Sequence, residues 1–164
     1  MYHPFENPVP LILLFLAIYV GFFLFVLLVN YVLYGIAMSR FFPGVGIEAW
    51  VGWVPYYRYW KWLELGGQKG WLSLLSLIPY GGIVTSVFLY IGMWHTGKAF
   101  SKGAGMLVLG IFLPFAWLFV LSGRDEVYRP ELIAAAGFSP PLAGYGSAVY
   151  AAVHPDTSAG PTVS

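Results

Sequence analysis

In a chain of 164 residues, 59% hydrophobic, 20% aromatic and only 9% charged composition exceeds what a soluble domain of this size can bury. A net charge of +1 with no Arg- or Lys-rich block excludes a basic field for nucleic acid. The absence of cysteine excludes a disulfide framework, a thiolate metal site and palmitoylation.

In chain order, residues 1–8 read as a short extracytoplasmic N-terminus and 9–39 as a first transmembrane helix. Its apolar block, Leu11 to Met38, carries no charge and spans roughly 42 Å as a helix, against roughly 30 Å of hydrocarbon. Pro8 and Pro10 delimit its start; Arg40, Pro43 and Gly44 are expected to end it. A cleaved signal peptide is the alternative, but the apolar run is too long and "MYHPFENP" has no Lys or Arg.

Residues 46–70 hold the densest aromatic and basic stretch, "WVGWVPYYRYWKWLELGGQKGW" continuing to Trp71, with five of the seven tryptophans. It is too charged to cross. Pro55 fits a first helical turn, and a helical wheel gathers Arg58, Lys61 and Glu64 on one side and Tyr56, Tyr59, Trp60, Trp62 and Leu63 on the other. Such a helix lies at headgroup depth, where indole and phenol groups are half solvated and basic heads reach phosphates. The expected lipid-interface residues are Trp50, Trp53, Arg58, Trp60, Lys61, Trp62, Lys69 and Trp71; packing against the protein's own helices is the alternative.

Residues 71–97 are expected to form a second crossing, broken or kinked where Pro79 is followed by Gly81 and Gly82. A rival reading has this segment enter and leave on one side as a hairpin about Pro79-Tyr80-Gly81-Gly82. Residues 103–122, with Pro114 inside, read as a third crossing, and 123–164 as a flexible cytoplasmic tail poor in charge. Three crossings with the N-terminus outside place Arg40, Arg58, Lys61, Lys69, Arg124 and Arg129 inside and Lys98 and Lys102 outside, the favoured sense. "KGWLSLLSLIP" from Lys69 and "KGAGMLVLGIFLP" from Lys102 share a pattern that a duplicated helical hairpin would produce.

The fold class expected is therefore all-α: an integral cell-membrane protein with three transmembrane helices and one interfacial amphipathic helix. "EAWVGWVPYYRYWKWLELGGQKGWLSLLSLIPYGG" and "GKAFSKGAGMLVLGIFLPFAWLFVLSG" resemble an uncharacterised family of small bacterial multi-pass membrane proteins, a domain of unknown function whose members are sometimes labelled signal peptidase I. The likeness covers about Gly46 to Gly123. Arg58 and Gly81-Gly82 stand where that family usually carries an Asn shortly after each proline. The resemblance implies a topology and no activity.

A Ser/Lys hydrolase would need Ser73 near Lys69, or Ser101 near Lys98 or Lys102, inside a site that admits a polypeptide, and no extramembrane segment is long enough to build one. His3, His95 and His154 lie in distant segments without ligand spacing, so no metal or other cofactor is expected; His95 reads as an interfacial residue. The function expected is that of a non-enzymatic accessory or interaction component of a membrane assembly. Its expected partners are membrane lipids and other membrane subunits or further copies of itself, not nucleic acid. The alternative is a small oligomeric transporter or channel built on the broken helix at Pro79-Gly82, with Thr85 and Ser86 beside it.

Overall fold

The computed structural model describes residues 8–147. The chain divides into a first unit ending at Leu33 and a second beginning at Tyr34. Helix α1, Val9–Gly44, runs through that division for 36 residues. Among the described residues it is the one helix long and apolar enough to cross a membrane, and none of its most apolar window is buried by protein. It continues past Arg40 and Pro43 rather than ending at residue 39. A proline in the last turn removes one backbone donor but keeps a helical φ. Phe41 and Phe42, both buried, hold that turn in the core of the second unit.

All remaining structure in the described residues is helical, without strands. A 3-10 turn over Ala49–Trp53 leads to α2, Tyr57–Leu65, which starts two residues after Pro55 because Tyr56 takes a left-handed φ of 62°. A 3-10 arm, Gly70–Leu77, then precedes α3, Gly81–Ala99, so residues 71–97 are not one continuous rod. The Thr85 hydroxyl donates to the Leu72 carbonyl at 2.9 Å, and His95 Nδ1 to the Gly66 carbonyl at 2.9 Å. Both pairs are nearly symmetric about Pro79, so the two arms lie antiparallel in a hairpin.

A second hairpin follows. Helices α4, Ala104–Phe112, and α5, Pro114–Leu121, meet at a corner where Leu113 takes φ −135° and ψ 70°. A straight helix over those residues would hold its ends roughly 27 Å apart. Instead Lys102 Nζ meets Glu126 Oε1 at 2.5 Å, and the Arg129 amide donates to the Ala99 carbonyl at 2.9 Å. A Cβ at Gly110 would touch the Trp117 ring, so the arms also approach near the corner. The expected single rod over 103–122 is corrected to a folded pair, because Pro114 cannot donate to the preceding turn and starts a new helix instead.

Helices α3 and α4 pack side by side, with Met93 against Gly110, so four arms alternate in direction. Both corners lie at one end and Gly66, Ala99, Lys102 and Glu126 at the other. This base is closed by the chain beyond α5, which sequence alone reads as flexible. Helix α6, Glu131–Ala135, buries Ile133; Leu142 N donates to Glu64 O at 2.7 Å and Tyr145 N to Val45 O at 2.9 Å. The remainder of the expected tail, 148–164, and most of the expected extracytoplasmic segment 1–8 lie outside the described residues.

Candidate functional site

Segment 50–71 wraps the base and middle of the hairpins, and its side chains divide by burial. Trp50, Trp53 and Trp71 are exposed, as is Lys69, while Trp60 and Lys61 are half-buried. Arg58 is 7% exposed and Trp62 2% exposed, so for these two the expected headgroup contact is replaced by packing within the protein. A helical wheel treats the helix as standing alone, with no neighbour to cover either side. In the folded chain, the last part of α1 and α5 cover the side that carries Arg58 and Trp62.

The charges interleaved with these rings therefore meet aromatic faces. The Arg58 guanidinium lies 5.0 Å from the Tyr59 ring centre and 5.4 Å from that of Tyr34, and Lys98 Nζ lies 4.0 Å from Trp94. Arg40 sits against Phe119 and Lys61 against Tyr57. Attraction between a cation and a ring quadrupole is strongest where water is excluded, which lets a nearly buried guanidinium be tolerated beside two phenol rings. Lys61 also pairs with Glu64 at 2.7 Å, and Glu64 accepts from the Trp60 indole at 2.7 Å. Trp50 donates to Glu48 and stacks on Tyr57.

A cavity of about 310 Å³ opens near the corners, between Tyr34, Tyr59, Trp62, Thr85, Tyr90 and Pro114. Ser76, Gly82 and Ser86 also line it, so Gly82 of the first break and Pro114 of the second face one space. Its small hydroxyls are engaged with backbone: Ser76 donates to Ser73 O, Thr85 to Leu72 O, and Ser86 to Gly82 O. Carbonyls that a broken helix frees are thus partly taken up again by side chains of the same hairpin.

The other sequence candidates are placed elsewhere. Ser73 is buried while Lys69 is exposed. Lys98 and Lys102, the candidates beside Ser101, are held by Trp94 and Glu126. His95 is not interfacial: it is buried at the base, stacked 4.2 Å from Phe138. The Gly66 carbonyl accepts, so Nδ1 carries its proton. Among the described residues no cluster of His, Cys, Asp or Glu could hold a metal ion.

Tyr128 belongs to no motif in the sequence. Its ring packs 5.4 Å from that of Phe100, and its hydroxyl is buried without a hydrogen-bond partner among the described residues. Burial, with Glu131 adding, pushes the phenol above its ordinary value near 10. The folded state therefore favours the neutral form. Stability should be unaffected below pH 10 and fall as pH rises beyond it, where the unfolded phenol ionises first. Tyr128→Phe removes an unpaired hydroxyl, so it is expected to stabilise by about 1 kcal/mol or be neutral, and to flatten the alkaline loss. Thermal unfolding in mild detergent at pH 8 and pH 10.5 measures both; a loss above about 1 kcal/mol at pH 8 would show that the hydroxyl is satisfied.

No curated protein and no solved structure matches the chain. Residues 50–130, just under half of the chain and spanning both hairpins, match the model of a family of unknown function, DUF5684, so this segment is similar to an uncharacterised family.

Proposed function

We propose that the protein is a non-enzymatic integral membrane component that associates with other membrane subunits, with its N-terminus outside and its C-terminal segment in the cytoplasm. One observation carries this reading: α1 is a long apolar helix whose first 25 residues, Val9 to Leu33, show no buried side chain. A helix apolar on all sides whose side chains stand exposed is a membrane span or a binding element. All eight Lys and Arg follow Leu33 in sequence, which supports a cytoplasmic location for what comes after. Groups that chemistry would need are engaged in structure, as Lys61 and Lys102 are with carboxylates.

Transport by an oligomer is the second reading, favoured by the cavity beside two helix breaks. Against it, no charged side chain lies among the cavity's lining residues, whereas ion and proton paths usually carry one.

Photo-crosslinking distinguishes them. With a photoreactive phenylalanine analogue at Phe15 or Phe22, exposed positions on α1, the accessory reading expects adducts to a distinct second polypeptide in intact cells. Those adducts should vanish when the photoreactive residue is kept and the rest of Val9–Leu33 is replaced by leucines that still insert. A ladder of self-multiples supports transport, and adducts to lipid alone overturn the accessory role.

A further inference from the structure

We infer that α1 is the single crossing and that the two hairpins re-enter one leaflet, their corners forming a surface that docks into acyl chains. This rests on the membrane reading proposed above and specifies how the remaining chain meets the lipid. Arm length comes first. The 3-10 arm Gly70–Leu77 is roughly 16 Å long, α4 roughly 14 Å and α5 roughly 12 Å. Each matches about half of a roughly 30 Å hydrocarbon core and falls far short of crossing it. Helix α3 is longer, but its second half, from Gly92 to Ala99, is mostly buried in the base, which leaves roughly 16 Å of it beside the other arms.

Charge and exposure are distributed to match. Residues 71–97 and 103–122 contain no Asp, Glu, Lys or Arg, and both corners expose large apolar groups: Ile78 and Ile83 at the first, Phe112 and Leu113 at the second. Lys69 and Lys102, each followed by glycine, stand where an arm leaves the base, at the level suited to a headgroup. The repeated Lys-Gly to Pro pattern in the sequence is thus the outward arm of each hairpin. Tyr34, the first residue of this unit, lies near the corners and Val45 at the base, joined to Tyr145.

Backbone exposed to hydrocarbon must satisfy its own polar groups, the usual objection to re-entrant chain. Both corners meet it in part. At the first, Ile78 N donates to Leu75 O, Gly81 N to Ile78 O and Ile83 N to Tyr80 O; at the second, Leu113 N donates to Leu109 O and Trp117 N to Leu113 O. Each corner also carries a proline, Pro79 or Pro114, which has no N–H to satisfy.

The cysteine-free chain permits single-cysteine labelling with a membrane-impermeant maleimide. Ser101, exposed between the hairpins, decides the topology. Re-entry expects S101C and S158C to label from the same side of the membrane, while three crossings expect opposite sides. Labelling from opposite sides overturns re-entry and leaves the membrane reading intact. Release of the protein from membranes by alkaline carbonate would instead overturn the membrane reading itself. Nitroxide labels at I78C and F112C in lipid nanodiscs test the occupant. Lipid docking expects several-fold greater relaxation by oxygen than by a water-soluble nickel complex at both corners, with the reverse at S101C. Nickel access at the corners overturns it, as does shielding from both reagents, which a second copy or a partner protein would cause.

Discussion

Replacing Trp117 by alanine is expected to destabilise the second unit by about 3–5 kcal/mol, the range for removing a fully buried tryptophan. That is a large fraction of the roughly 5–15 kcal/mol that holds an ordinary domain. Trp117 is 0% exposed and stands one turn beyond the corner of the second hairpin. Its ring lies 5.9 Å from Phe41 of α1 and 5.9 Å from Trp62 of α2, and a Cβ at Gly110 of α4 would meet it at 3.0 Å. Four helices thus converge on one indole. Its N–H is buried without a partner among the described residues, so its role is volume and surface rather than hydrogen bonding. Trp117→Phe should therefore retain most of the stability. Unfolding in mild detergent, followed by near-UV circular dichroism, should show the alanine variant's midpoint lower by on the order of 10 °C or more. A change of only a degree or two would mean that the helices do not meet there.

The effect locates where sequence reasoning succeeded and where it stopped. An all-helical chain with a long apolar helix followed from the uncharged run between Leu11 and Met38, because hydropathy and helical rise are local quantities. The direction taken after Pro79 is not local. A proline followed by two glycines marks an interruption, yet a kink that continues and a corner that doubles back are compatible with the same residues. The contact between Thr85 and Leu72 spans 13 positions, and that between Lys102 and Glu126 spans 24. Hydropathy counts those apolar runs as long enough to cross whether or not the chain folds in their middle. Arg58 is a second instance. Charge and helical spacing placed it at a solvated edge, but its stem is covered and its head lies against Tyr34 and Tyr59. Interleaved aromatic and basic residues serve a headgroup interface and a set of internal cation–ring contacts equally well. Tyr34 is 24 residues away from Arg58, so their pairing depends on tertiary structure.

Two glycines give the sharpest expected contrast. Gly66 ends α2 and Gly92 lies on α3, where the two backbones approach at the base of the first hairpin. A Cβ added at Gly66 would stand 2.3 Å from Gly92 Cα, a backbone atom that cannot rotate away. A Cβ added at Gly92 would stand 3.5 Å from Gly66 Cα, an ordinary contact. Gly66 has φ −82°, so alanine there brings no conformational strain and its effect is steric. Gly66→Ala must separate α2 from α3 and disturb the hydrogen bond from His95 to the Gly66 carbonyl, with an expected loss of about 1–3 kcal/mol or more. Gly92→Ala instead replaces glycine inside a helix, where alanine is favoured by about 1 kcal/mol, so it should be neutral or stabilising. The pair also distinguishes the hairpin from a continuous rod over 71–97. In a rod, Gly66 and Gly92 would lie at opposite ends of the segment, and alanine at Gly66 would be harmless. Thermal unfolding of both single variants in the same detergent decides it, and equal midpoints for the two would show that α2 and α3 do not cross at these residues.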